Sequence, residues 1–194
     1  AYKFKRGTGE YSGRLPAPEA PNDFSDREHE FSLDWKPVLG TTVQARLAHL
    51  QRIHDGFEVR DFSGLRGQVS ANWPLTGKTR LEAGVVRELG SYQTTTASYY
   101  EGDRLYVSPV WKPTEKTAVR LRLDQGTRRY KGELAGVTPV GRRDTTTLTS
   151  LILEWEVIRP LKLAASVQRD KRTSNTAGFD YKANLFGLSA VFSF

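Results

Sequence analysis

Cysteine is absent from the 194 residues, which excludes a disulfide framework and a thiolate metal site. Only three histidines are present, His29, His49 and His54, so neither a metal site nor a cofactor is expected. No run of about 18 apolar residues exists, and a transmembrane helix is excluded with it. The net charge is +7, yet there is no basic helix and no recognised nucleic-acid module, so nucleic acid is not an expected partner. The chain opens at Ala1 without the charged and apolar segments of a signal peptide. Ala1 therefore reads as a mature terminus or as an interior point of a longer precursor. With 38% hydrophobic residues the composition looks soluble, but strands that alternate lipid-facing and lumen-facing residues average out in the same way.

Four tryptophans act as a ruler. Trp35, Trp73, Trp111 and Trp155 are 38, 38 and 44 positions apart, and a proline follows each within a few residues. An internal repeat of this kind constrains the fold before anything else does. Each tryptophan ends a run of period-two alternation, such as Phe31-Ser32-Leu33-Asp34-Trp35 or Leu151-Ile152-Leu153-Glu154-Trp155. After each turn a second alternating run begins, as in Val43-Gln44-Ala45-Arg46-Leu47 and Val119-Arg120-Leu121-Arg122-Leu123. Alternation of apolar and polar residues is the signature of a strand with two different faces. Each repeat has room for two strands of roughly ten residues, the length that crosses a bilayer when tilted.

Connections beside the tryptophans are short, from Lys36 to Gly40, Pro74 to Gly77, Lys112 to Lys116 and Glu156 to Pro160. Those at the other end are longer and polar, namely Gly7 to Asn22, Gln93 to Ala97, Gly126 to Asp144 and Lys171 to Ala177. Short turns on one side and long loops on the other describe a bacterial outer-membrane barrel with the short side periplasmic. Trp35, Trp73, Trp111 and Trp155 then form half of an aromatic girdle. Phe192, 37 residues after Trp155, takes the same position in a fifth repeat. Soluble alternatives are a propeller, whose blades need four short strands per repeat, or a long coiled β-sandwich.

The last segment, Asn184 to Phe194, places Phe186, Leu188, Ala190, Phe192 and Phe194 on one strand face. Such a stripe on a soluble edge strand would invite aggregation, whereas in a barrel it faces lipid. The ending resembles the terminal insertion signal of outer-membrane proteins, carried here by Phe186, Leu188, Phe192 and Phe194. Ser189 stands where many such signals have glycine.

Opposite parity then faces the lumen. The candidate lining is Arg46, Arg66, Arg80, Arg104, Arg120, Arg122 and Lys162, with Lys3 and Lys5 further along the same face. Glu28, Glu30, Asp34, Glu82, Glu88, Asp124, Glu154 and Asp170 share it. Charges at membrane depth persist where they pair or meet water. Two readings stay open: salt bridges that fill a narrow lumen, or arginines along a water-filled path for an anionic solute. An enzyme is not expected, because no histidine–serine or paired-aspartate motif accompanies His49 or His54-Asp55. Gly7-Thr8-Gly9 is too short for a phosphate loop.

Several segments resemble the outer-membrane protein of bacterial exopolysaccharide operons called EpsL, within a broader group of β-barrel porins. They are Asn22-Asp23-Phe24-Ser25-Asp26-Arg27-Glu28, Arg60-Asp61-Phe62-Ser63-Gly64-Leu65, Trp111-Lys112-Pro113-Thr114 and Arg128-Arg129-Tyr130. Arg142-Arg143-Asp144-Thr145-Thr146 and Phe179-Asp180-Tyr181 complete the set. The resemblance implies an integral outer-membrane barrel of a Gram-negative bacterium, linked to synthesis or export of a polysaccharide. It also implies further strands upstream, Ala1 to Arg6 already reading as a strand. The expectation is one all-β domain over residues 1–194, an antiparallel up-and-down barrel with about ten strands in this chain. It would be a passive conduit, or a docking barrel with a salt-bridged lumen. Expected partners are outer-membrane lipid, an anionic or neutral polysaccharide and other secretion components.

Overall fold

The computed structural model describes residues 1–13, 23–38, 40–94, 96–133 and 141–193. Phe194, the last residue of the expected insertion signal, lies outside them. Ten strands follow one another: β1 (Tyr2–Gly9), β2 (Phe24–Trp35), β3 (Thr42–His54), β4 (Phe62–Pro74) and β5 (Thr79–Thr94). Then come β6 (Ala97–Thr114), β7 (Thr117–Lys131), β8 (Arg143–Ile158), β9 (Leu161–Ser174) and β10 (Tyr181–Phe192). All pair antiparallel in sequence order as a single up-and-down sheet. The one helical turn among the described residues is a 3-10 turn at Glu58–Arg60.

Directly opposed residues of an antiparallel ladder share a face, so the register fixes both faces of the whole sheet. Trp35 faces Val43, Trp73 faces Leu81, Trp111 faces Thr79 and Val119, and Trp155 faces Thr117 and Leu163. All four indoles therefore stand on one face beside the short turns, and they are half exposed. Phe192, opposite Leu161, shares that face, as do Phe186 opposite Val167 and Leu188 opposite Ala165. Leucine, valine and phenylalanine fill the outward positions for several steps from the tryptophan end. Nearer the long loops the same parity becomes polar.

Three features refine the sequence reading: the first and third depart from it, and the second concerns closure, which it left open. First, Gln93 to Ala97 is no long loop: β5 runs to Thr94 and β6 starts at Ala97. These strands, of 16 and 18 residues, rise instead as a long ribbon. Second, β1 and β10 are not paired with each other, so the ten strands do not close by themselves. Phe186 and Leu188 consequently stand 81% and 89% exposed at the β10 edge. Third, strict alternation fails near the long-loop end. The β4–β5 ladder stops at Gly67 and Arg87, and Leu89 packs with Leu50 and Phe62 of the other face, with Tyr99 stacked on Phe62 at 5.0 Å.

That long-loop end holds the densest packing. Arg52 Nε and Nη2 donate to both carboxylate oxygens of Asp26 at 2.7 and 2.6 Å, and the guanidinium lies 3.8 Å over the Phe24 ring. A second knot centres on buried Arg142, between the rings of Phe179 at 3.6 Å and Tyr130 at 4.2 Å. Its Nε donates to Asp144 at 3.0 Å. Burial opposes the Arg142 charge, but the hydrogen bonds to Asp144 and Tyr92 prevail and hold its pKa above the usual value. Phe24, Asp26, Phe62, Tyr130, Arg142, Asp144 and Phe179 all belong to the segments that carry the family resemblance. Those segments close the loop end of the sheet.

The face assignment predicts opposite behaviour for neighbouring positions. Spin labels at Leu121 and Arg122 should differ, the first relaxed by oxygen dissolved in lipid and the second by a water-soluble nickel chelate. Equal accessibility would refute the parity.

Candidate functional site

The face opposite the tryptophans carries every residue of the expected lining. Arg46 faces Ser32 and Gln68, Arg66 faces Ala48, Arg80 faces Pro74 and Val110, and Arg104 faces Val86 and Gly126. Arg120 faces Ile152, Arg122 faces Ser150, and Lys162 faces Glu156. Successive inward positions on one strand are two residues apart, about 7 Å along it, so long side chains reach between rungs.

Most of these cations are paired. Asp124 accepts from Arg104 at 3.2 Å and from Arg122 at 3.1 Å, and its side chain is only 10% exposed. Glu88 lies 4.0 Å from Arg104 and 3.1 Å from Arg128. Together they form a chain of alternating charge across β5, β6 and β7. A second chain joins Lys5 of β1 to Glu28 at 2.8 Å and Glu30 at 2.9 Å, with Arg66 of β4 also on Glu28. Arg120 and Glu154 are a looser pair at 3.9 Å, and Lys162 lies 3.8 Å from Glu156. Arg46 and Arg80 have no ion pair among the described residues. Asp34 accepts from Gln44 at 2.9 Å and Glu82 from the Tyr106 hydroxyl at 3.3 Å, and among the described residues neither carboxylate is paired with an arginine.

Between the arginines lies a feature that alternation alone does not reveal. Tyr106 faces Gly84 and Tyr100 faces Gly90 across β5 and β6. Each ring lies flat on its glycine: a Cβ on either residue would sit 2.8 Å from the ring. Glycine here is required by close approach, not by an unusual φ. Arginines then cover the exposed ring faces. Arg122 lies 4.9 Å from the Tyr106 centroid and Arg128 5.0 Å from that of Tyr100. Tyr106 is left 9% exposed and Tyr100 half-buried. Guanidinium groups roof both rings, and what this wall presents is charge. The signal was present in the sequence: Gly84 and Gly90 are six residues apart, and so are Tyr100 and Tyr106.

On the other face the structure joins a pair that the sequence separates, Ser63 and His49, with Oγ 3.1 Å from Nε2. Both are exposed on the outward face of adjacent strands, and no carboxylate backs this imidazole among the described residues. His54 packs by Asp61, with Nδ1 3.5 Å from the carboxylate. Among the described residues no group of three histidine, aspartate or glutamate side chains could hold a metal ion.

The two kinds of ion pair should be separable by stability. Asp124→Ala leaves two arginines without their acceptor and should cost about 1.5–3 kcal/mol. Glu154→Ala removes a long, half-exposed contact and should cost under about 1 kcal/mol. Denaturant unfolding of the micelle-folded protein measures both, and equal losses would mean that Asp124 is not a hub.

Comparison with known proteins adds one positive finding. Residues 49–194, more than half of the chain, match the family described as putative beta-barrel porin 2. No curated protein and no solved structure matches the chain. No helix among the described residues is long and apolar enough to cross a membrane, while an all-β sheet of a porin family fits an outer-membrane location. From its ten-stranded antiparallel sheet and this match, the chain belongs to the β-barrel porin family so described.

Proposed function

We propose that this chain forms the wall of an outer-membrane channel that conducts anionic or hydroxyl-rich solutes, and that its solute is an extracellular polysaccharide during export. The observation that carries this reading is the character of the face opposite the tryptophans. It is lined by guanidinium groups from β3 to β7, and two of them, Arg46 and Arg80, have no ion pair among the described residues. Guanidinium presents five donors in a plane and suits both carboxylate and hydroxyl acceptors. The polymer assignment draws on the resemblance to the EpsL-type proteins. The tryptophans and Phe192 serve as one aromatic girdle, with the short turns and the carboxyl terminus periplasmic.

A working channel needs its two free edges satisfied. Unpaired strand amides are not tolerated in hydrocarbon, so β1 and β10 must meet each other or flank further strands. Width follows from that number, because a barrel of about eight strands is filled by side chains while sixteen or more leave an aqueous path.

The dense pairing around Asp124, Glu88 and Glu28 favours a second reading, a plugged barrel that docks other secretion components. Conductance separates the two. Arg46→Gln with Arg80→Gln should lower the anion preference of the channel in planar bilayers without loss of stability, since neither residue holds a buried acid. Arg104→Gln with Arg122→Gln should instead destabilise the protein. A parent with no measurable conductance would refute the channel and leave the docking role.

Anchoring tests the girdle. Phe192→Asp should impair membrane assembly, with a stability loss below the about 2–4 kcal/mol of a charge at the bilayer midplane. Assembly equal to the parent would refute the role of this residue.

A further inference from the structure

The net charge of +7 is not spread evenly over the two faces. Opposite the tryptophans, direct cross-strand partners are complementary: Lys3 faces Glu30, Lys5 faces Glu28, and Asp26 faces Arg52. Arg128 faces Asp144 and Glu156 faces Lys162. On the tryptophan face, toward the long loops, Arg87 faces Asp103 and Glu101 faces Arg129 in the same way, but three like-charged pairs stand beside them. Arg6 faces Arg27, Arg129 faces Arg143, and Lys171 faces Lys182. Like charges directly opposite one another destabilise a sheet. Arg129 is balanced within the sheet by Asp103, whereas Lys171 and Lys182 form no ion pair among the described residues.

Carboxylates on this part of the outward face are confined to β6. Asp103 takes Arg87 and Arg129, each at 2.7 Å, and Glu101 takes Lys131 at 2.8 Å. Within β8, β9 and β10 there is none, and the flanking Asp180 accepts from the Ser174 amide at 2.8 Å. Arg143, Arg169, Lys171 and Lys182 are exposed there and form no ion pair among the described residues. Their outward neighbours in the ladder are Thr145, Thr147, Thr149 and Asn184, all able to donate a hydrogen bond.

Directly below these cations the same three strands form an open apolar groove. Leu151, Leu153, Ala165, Val167, Phe186 and Leu188 line it. Val167 is one outward step from Arg169, about 7 Å along β9, and Lys171 is one step further. Apolar walls with a cationic cap at one end match a lipid with a phosphorylated headgroup: acyl chain in the groove, phosphate on Arg169, Lys171 and Lys182.

We infer that the outward surface of β8 to β10 is a binding site for an anionic phospholipid or phosphoglycolipid of the leaflet at the long-loop end. This rests on the membrane-spanning reading of the sheet. Phosphate oxygens bridging Lys171 and Lys182 turn a repulsive pair into a clamp, and the guanidinium groups of Arg169 and Arg143 supply planar donor forks. Free phosphate offers the same headgroup chemistry but no acyl chain for the groove, so the lipid is the occupant.

The test uses the full chain folded in neutral detergent, with diphosphorylated lipid A as probe and phosphatidylcholine and inorganic phosphate as controls. Native mass spectrometry should show lipid A retained and phosphatidylcholine not. Retention should weaken about fivefold for each charge removed in Lys171→Gln and Lys182→Gln, and Lys182→Arg should keep it. In detergent alone the Lys171→Gln, Lys182→Gln double variant should melt above the parent, because repulsion is relieved. Lipid A should raise the parent's melting temperature more than the variant's. Equal lipid-induced shifts in parent and variant, or the same shift from inorganic phosphate, would overturn the site. Flotation with phosphatidylcholine vesicles is measured in parallel. A protein that does not float refutes the membrane-spanning reading and the site with it, whereas one that floats without preferring lipid A refutes the site alone.

Discussion

The whole arrangement depends on the antiparallel backbone ladder. In hydrocarbon a peptide group has no water to turn to, so each N–H and C=O must be paired within the sheet. The sequence meets that demand from β2 to β9, each of which bonds to both of its chain neighbours, and leaves one edge open on β1 and one on β10. Once the ladder is fixed, parity does the rest. Odd positions from β2 to β9, and even positions in β1 and β10, carry tryptophan, leucine, valine and phenylalanine outward. The alternate positions carry arginine and glutamate inward. A slip of one residue in any strand would exchange these two sets, so the hydrophobic pattern and the hydrogen-bond register enforce each other.

Electrostatics divide along the same lines. Inward charges face their complements and form chains, such as Glu88, Arg104, Asp124 and Arg122, that stiffen the wall between β5 and β7. A partly shielded carboxylate with two arginines is expensive to uncover, which makes these chains poor places to build selectivity. The sparsely partnered Arg46 and Arg80 are better placed for it. Outward charges beyond the apolar band lack such complements on β8 to β10, which is why we place an anionic lipid there as their counter-charge.

Much of this was legible in the sequence because strand periodicity is short and tryptophan is rare. The repeat located the turns, the parity separated both faces, and all seven cations of the expected lining do share one face. What stayed hidden depends on partners distant in the chain. Nothing local says that Arg104 and Arg122 meet at Asp124, and not at Glu82 or Asp34, since that is decided by stagger between strands. The inward packing of Leu89 and Tyr99 required knowing that β4 and β5 part beyond Gly67. The loop expected from Gln93 onward begins with residues that suit strands as well as loops, and β5 runs on through Gln93 to Thr94. Several of the family segments, nothing local in which shows their partners, supply Phe24, Asp26, Tyr130, Asp144 and Phe179 to the knots around Arg52 and Arg142 at the loop end.

The two glycine–tyrosine contacts have a consequence for how the sheet is assembled. Backbone hydrogen bonds in β5 and β6 would be satisfied equally well if the strands slid by two residues, and the faces would still match. A slide one way would bring Tyr106 against Glu82 and Tyr100 against Glu88; the other way would bring them against Val86 and Tyr92. In neither case is there room for a ring to lie flat. Two sockets six residues apart, each accepting only a ring, work as a key with two teeth. Even-numbered slippage, to which the ladder and the parity are both blind, is rejected within this one hairpin before either neighbouring strand has to dock.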